Sequence, residues 1–186
     1  MRDVIEIETE RLRLRALRMN DAPAVARFAG DPQVARMILR APVPYLVCAA
    51  EGWIMTLKAR APLGEDYVFA VDLPGEGLIG TIGAHRRDDG FEVGYWFGQP
   101  YWGHGFASEA LEGFVAEART LGALHAGHFS DNPASGRVLQ KNGFAYTGET
   151  EEAYSLGRGA RALIKRMRYA PQARATKAQA QMDAVL

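Results

Sequence analysis

The sequence predicts an α+β domain built on one mixed sheet with helices on its faces. Two observations carry that prediction. Three β-rich runs, Asp66–Leu73, Leu78–His85 and Phe91–Gly98, are separated only by turn signatures, Pro74-Gly75-Glu76-Gly77 and Asp88-Asp89-Gly90, as in an antiparallel meander. Directly afterwards Ala107, Ala110, Leu111, Phe114, Val115, Ala118 and Leu121 recur at helical spacing on one face.

The other elements follow in order. Glu10–Leu17 alternates Leu12 and Leu14 with Arg11, Arg13 and Arg15, the pattern of a half-buried strand. Asn20 or Asp21 caps a helix that tolerates Pro23 in its first turn and carries Val25, Ala26 and Phe28 toward Gly30. Asp31-Pro32 starts a short helical stretch through Leu39. Beyond Pro42 and Pro44, Tyr45–Arg60 reads as a helix with Trp53, Ile54 and Leu57 inward. After the long helix come a strand over Ala123–Ser130, a short helix over Asn132–Asn142, and strands over Gly143–Glu149 and Ala160–Tyr169. The basic run Arg158–Arg168, alternating with Leu163 and Met167, reads as one face of the last strand. The Ala- and Gln-rich tail, 171–186, fits either a surface helix or disorder.

Composition narrows the class. The 186 residues suffice for one domain with a full core, and the hydrophobic share of 48% with 24% charged residues is that of an ordinary globular protein. Lys plus Arg and Asp plus Glu both total 22, so no global field recruits nucleic acid or an anionic membrane. Cys48 is the single cysteine, which excludes an internal disulfide and a multi-cysteine metal site. It is expected to pack in a helix. His85, His125 and His128 have no second ligand at a recognisable spacing, so no metal is expected. Met1–Glu10 lacks an apolar signal segment, and the longest apolar stretch, Val43–Ala50, is broken by Pro44. A cytoplasmic protein is expected.

The most informative stretch is Tyr101–Glu109, Y-W-G-H-G-F-A-S-E, where a strand turns through two glycines into the long helix. Such a turn aims unpaired N–H groups and the positive end of a helix at one point, which makes an anion seat. Gly103, Gly105 and Ala107 keep side chains out of the way of a phosphate. No Lys-Ser or Lys-Thr follows the glycines, as a P-loop requires, and Ser108 stands where a Rossmann fingerprint needs its third glycine.

Three segments resemble the GCN5-related N-acetyltransferases (GNAT), in the branch of the ribosomal-protein-alanine N-acetyltransferases. The acetyl-CoA loop R/Q-x-x-G-x-G/A falls on Trp102, Gly105 and Ala107, departing from the consensus at its first position, and Glu109 follows as is usual in the branch. Asp131–Phe144, D-N-P-A-S-G-R-V-L-Q-K-N-G-F, is similar to the family segment N-x-x-S-x-x-x-L-x-K-x-G-F. Glu8–Arg15, E-T-E-R-L-R-L-R, resembles the opening strand. The resemblance implies an N-acetyltransferase domain over residues 8–170. It also implies a mostly antiparallel sheet of six to seven strands, helices on both faces, and a V-shaped splay between two central strands.

It further implies acetyl-CoA as cosubstrate, with no metal, and the residues that would hold it. The pyrophosphate would lie on the backbone of Trp102, Gly103, His104, Gly105, Phe106 and Ala107. Asn132 would contact the pantetheine arm, although in sequence grammar alone it is a helix cap. Ser135 would protonate the leaving thiolate, and the Phe97 N–H would polarise the thioester carbonyl. Arg137 would either reach CoA phosphates or make a surface salt bridge. Glu92, on the strand before the loop, is the candidate base, with an exposed edge charge as the alternative. Glu92 shares a strand face with Gly94 and Trp96 while Tyr95 and Phe97 point oppositely. Tyr95 and Trp96 together suggest an aromatic-lined amine site, with plain core packing as the alternative. The acceptor would enter between the Ala29–Tyr45 region and the segment near Tyr154. A peptide N-terminus and a small amine both fit it, monomer and homodimer both remain open, and a non-catalytic acyl-CoA sensor is the alternative to an enzyme.

Overall fold

The computed structural model describes residues 6–170, and the tail 171–186, expected to be helical or disordered, lies outside them. Eight strands form one open sheet: β1 Glu6–Glu8, β2 Arg13–Ala16, β3 Asp66–Leu73, β4 Gly77–Arg87, β5 Gly90–Phe97, β6 Leu124–Phe129, β7 Phe144–Ser155 and β8 Ala160–Tyr169. Their order is β1-β2-β3-β4-β5-β6-β8-β7, antiparallel everywhere except between β5 and β6. The helices are α1 Ala22–Ala29, α2 Pro32–Ala35, α3 Val47–Arg60, α4 Phe106–Ala118 and α5 Pro133–Lys141.

Both sheet faces are covered. On one, Phe69, Val71, Val93 and Phe97 pack against Leu111, Phe114 and Val115 of α4, and Leu139 of α5 joins them. On the other, Ala70 and Leu78 pack against Val25 of α1 and Ile54 and Leu57 of α3. Gly80 pairs with Val71 but Leu78 pairs with Asp72, so β4 carries one extra residue there. That bulge shifts the alternation, which lets Ile79 and Ile82, three residues apart, enter the same α4 core.

Four readings need correction. The sheet has eight strands rather than six or seven, because residues ahead of the predicted first strand form β1 and pair with β2 across the turn at Thr9–Leu12. β7 runs to Ser155, past the predicted Glu149, since β8 offers it a partner throughout, with an irregularity between Tyr146 and Thr150. Arg158 lies in the β7–β8 turn and not on the strand. Arg15 is no solvent-facing residue: with both faces covered, it is buried between Asp21 and Asp72, bonding each at 2.8–3.0 Å. Cys48 does lie in a helix, α3, but on its exposed side.

Candidate active site

The site begins where β5 and β6 part. Their parallel ladder joins Phe91–Val93 to Leu124–Ala126 and goes no further. Lateral direction alternates along a strand. The Phe91 N–H bonds Ala123 on the β6 side and the Gly98 N–H bonds Ile79 on the β4 side, while the β4–β5 register is unbroken between them. The N–H groups of Tyr95 and Phe97 therefore point toward β6 beyond the end of the ladder, into a V-shaped gap.

The glycine turn closes the outer end of this gap. After β5 the chain makes a short 3-10 turn, Gln99–Tyr101, and the Trp102 indole N–H donates to the Phe97 carbonyl at 2.7 Å. Gly103 and Gly105 have φ of +80° and +83°, and Gly105 occupies the N-cap of α4 in the left-handed region. A Cβ on Gly103 would meet nothing within 4 Å, and one on Gly105 only an Arg11 nitrogen at 3.5 Å. The glycines are required by backbone conformation, then, and the space above them is open. Among the described residues no acceptor is found for the amides from Gly103 to Ser108, which leaves a set of donors at a helix N-terminus. Of the six residues predicted to line the seat, Phe106 turns its ring into the core and offers only its amide. His104 stacks its ring on that of Phe106.

Sequence reasoning missed what holds this turn. Glu109, in the first turn of α4, accepts from Thr9 Oγ1 at 2.6 Å and from the Arg11 backbone N–H and Nε, both at 2.7 Å. Arg11 Nη1 also donates to the His104 carbonyl at 3.1 Å. Burial alone would raise the Glu109 carboxyl, but these bonds outweigh it and hold the group below the ordinary carboxylate range. The signal was present as Thr9 and Arg11 in one motif and Glu109 in another, but nothing in one dimension links residues 98 apart.

α5, which follows β6, flanks the gap from the other strand. Asn132 caps that helix, its Oδ1 accepting the Ser135 N–H at 3.2 Å, which is the reading from sequence grammar. Ser135 Oγ lies 3.0 Å from the Tyr95 hydroxyl, which also reaches the Ser135 carbonyl at 3.2 Å. Burial pushes the Tyr95 phenol up to about 12, against a smaller opposing effect of the Ser135 bond, so it stays protonated at neutral pH. Tyr95 thus sits with Ser135 on the α4–α5 face, whereas Trp96 packs toward α1 and α3. The two aromatics do not line one amine pocket.

Glu92 is neither an exposed edge charge nor a free carboxylate. Both its oxygens accept from the Arg166 guanidinium of β8, with Nη1 at 2.9 Å, and its side chain is only 16% exposed. The bond to Glu92, more than its charge, raises the Arg166 guanidinium, which therefore remains a cation. Glu92 pairs with His125 inside the ladder, five residues before Phe97, or roughly 16 Å along the strand at ~3.3 Å per residue. Glu92 and the Phe97 amide are thus not brought together around one atom.

The segment after α2 is tied to the β7–β8 turn. Leu156 N–H bonds Leu39, Ser155 Oγ bonds Ile38 at 2.8 Å, and Arg158 joins the Arg36 carbonyl to the Asp131 carboxylate. The Arg158 bond, ahead of an opposing burial effect, lowers the Asp131 carboxyl. The chain's predicted acceptor walls, Ala29–Tyr45 and the stretch near Tyr154, are therefore one connected unit.

The family model described as "Acetyltransferase (GNAT) domain" matches residues 11–145, which include the gap, the glycine turn and α5. The chain belongs to the GNAT acetyltransferase family. It is an acyltransferase of the N-acetyltransferase kind. Its sequence is 29% identical over 147 residues to the "Uncharacterized N-acetyltransferase p20" of Bacillus licheniformis, covering 75% of this chain and 82% of that protein. The fold is similar to that of RimL, a ribosomal L7/L12 alpha-N-protein acetyltransferase solved with coenzyme A. That match has a TM-score of 0.78 at 16% identity and covers 89% of this chain and 98% of the other. It is similar too to RimJ of Mycobacterium smegmatis, solved with a CoA disulfide, with a TM-score of 0.74 at 22% identity and coverage of 88% and 87%.

The remaining polar candidates take structural places in this GNAT domain. His128 is buried between the Phe129 carbonyl at 2.8 Å and the Tyr146 hydroxyl at 2.9 Å. His85 lies 2.6 Å from Asp66 and His125 3.2 Å from Asp89. Among the described residues no three His, Cys, Asp or Glu side chains group as a metal site would need. Arg137 is exposed on α5 and forms no ion pair among the described residues. No helix among them is long and apolar enough to cross a membrane.

Proposed function

We propose that residues 8–170 form an acetyl-CoA-dependent N-acetyltransferase domain that transfers the acetyl group directly to a primary amine. The observation that carries this reading is the alignment of three features along one gap. Amides without an acceptor among the described residues stand at its outer end, strand N–H groups point into it, and a hydroxyl pair lies beside it.

In this reading the amides of the turn from Gly103 to Ala107 bind the pyrophosphate, the predicted Trp102 N–H being already given to the Gln99 carbonyl, and the Asn132 Nδ2, without an acceptor among the described residues, contacts the pantetheine arm. The Phe97 N–H donates to the thioester oxygen as charge develops there. The amine nitrogen forms its bond to the acetyl carbon as the carbon–sulfur bond breaks. Ser135 gives its hydroxyl proton to the departing thiolate. Tyr95, whose phenol keeps its own proton, steadies the Ser135 oxygen by hydrogen bonding. The amine's proton leaves through water toward Glu92, since the distance along β5 rules out direct contact with a carbonyl held at Phe97. Water returns that proton to Ser135, which restores both side chains.

The acceptor enters on the Trp96 side, against the connected wall of Arg36–Leu39 and the β7–β8 turn. A protein or peptide N-terminus is the favoured acceptor. What supports it is the likeness of fold to RimL and RimJ and the resemblance in the three motifs. A non-catalytic acyl-CoA sensor would share the turn but has no use for a Ser135–Tyr95 hydroxyl pair beside the gap.

Thiol release from acetyl-CoA, measured against a panel of small amines and N-terminal peptides, tests the reading. Release that depends on a particular amine is expected. Tight acetyl-CoA binding with no release across the panel would favour the sensor.

A further inference from the structure

We infer that Arg11 is a determinant of phosphate binding, acting from the far edge of the sheet on the glycine turn. The inference rests on the proposed placement of acetyl-CoA. Glu109 puts a full negative charge in the first turn of α4, beside the amides that would receive an anion. Left alone, that carboxylate would oppose a phosphate there. Arg11 removes the conflict by direct pairing: Nε and Nη2 both meet Glu109 Oε2 at 2.7 Å. It also grips the turn itself. Nη1 takes the His104 carbonyl at 3.1 Å, so the oxygen midway through the turn faces Arg11 and is bound.

The guanidinium lies on the Phe106 ring, 4.5 Å from its centroid, and Phe106 in turn stacks with His104. Its Nη2 is 3.5 Å from where a Gly105 Cβ would stand. A guanidinium has five N–H groups, and three are used here. One on Nη1 and one on Nη2 remain without an acceptor among the described residues, beside the open space over Gly105. The side chain is 43% exposed, so a phosphate on the turn can reach it. Arg11 is thus at once a brace on the turn, a counter-charge to Glu109 and a source of two donors at the seat.

The test is CoA binding by calorimetry to the full chain and to Arg11→Ala and Arg11→Lys. S-acetylpantetheine, which lacks the phosphates carried by the nucleotide, is followed in parallel by ligand-observed NMR. Arg11→Ala is expected to weaken CoA about 10-fold or more while leaving S-acetylpantetheine within about 2-fold. Arg11→Lys keeps the charge but loses the fork, and should fall between. It should also recover more CoA affinity at low salt than at high salt. If wild type binds CoA and Arg11→Ala binds it equally, the inference alone is overturned. An equal loss for both ligands would also overturn it, by marking a general distortion. If wild type binds no CoA, the acetyl-CoA reading falls and takes this inference with it. Should Arg11→Ala not fold, the same comparison with Arg11→Lys and Arg11→Gln decides.

Discussion

Gly105→Ala and Gly105→Glu should divide the cost of the turn from the cost to the ligand. Gly105 has φ of +83°, where an L-residue costs about 1–2 kcal/mol. A Cβ there meets only an Arg11 nitrogen at 3.5 Å, an ordinary contact, so no steric penalty is added. The alanine variant should therefore lose about 1–2 kcal/mol, or roughly 2–8 °C in Tm for a chain of this size. Saturating acetyl-CoA at a hundred times its Kd stabilises a binding-competent protein by about 2.7 kcal/mol. Wild type should show that increment. The glutamate variant should fold with about the same loss as alanine but show no increment, since its carboxylate fills and charges the seat. Thermal melts with and without acetyl-CoA, backed by calorimetry, read both quantities. An unchanged acetyl-CoA affinity in Gly105→Glu would refute the assignment of the turn.

Three further outcomes are expected. Ser135→Ala should lower kcat with little change in the KM for acetyl-CoA, because the proton it gives is needed only as the thiolate leaves; an unchanged kcat would remove Ser135 from the chemistry. Glu92→Gln should also lower turnover while leaving acetyl-CoA affinity nearly intact, and a pH–rate profile identical to wild type would exclude Glu92 as the proton's destination. Arg15→Met should destabilise the fold by about 3–5 kcal/mol in denaturant titrations, since it removes the buried guanidinium from Asp21 and Asp72 and leaves them only the Arg18 N–H and the half-exposed Arg13; a loss within experimental error would show that these buried ion pairs carry no such burden. Burial of Asp72 is outweighed by its bonds from Arg13 and Arg15, so its carboxyl lies below the ordinary value. Its contribution to stability is then complete above about pH 4 and is lost as pH falls through the lower folded value, a slope that Asp72→Asn should flatten.

The meander, α4 and the glycine turn were legible because each is written in local pattern: alternation, turn dipeptides and helical spacing. α5 was legible for the same reason, down to its Asn132 cap. What was not legible depends on residues far apart in the chain. Alternation marked Arg15 as polar and so solvent-facing, yet helices on the second face turned it into a buried ion-pair hub. Strand periodicity put Tyr95 and Phe97 opposite Trp96, but only the fold shows that Ser135 waits on the Tyr95 side. Glu92 looked like a free carboxylate because its partner, Arg166, is 74 residues away. The brace from Arg11 to Glu109 was hidden in the same way.

Incubation of the protein with acetyl-CoA and unblocked N-terminal peptides, followed by mass spectrometry of the peptides, decides whether this domain delivers acetyl groups to amines. One acetyl group should be gained at the α-amine of at least one peptide, abolished by Gly105→Glu and strongly slowed by Ser135→Ala. Acetyl-CoA bound at the turn, with no acetyl group reaching any peptide or small amine, would contradict it.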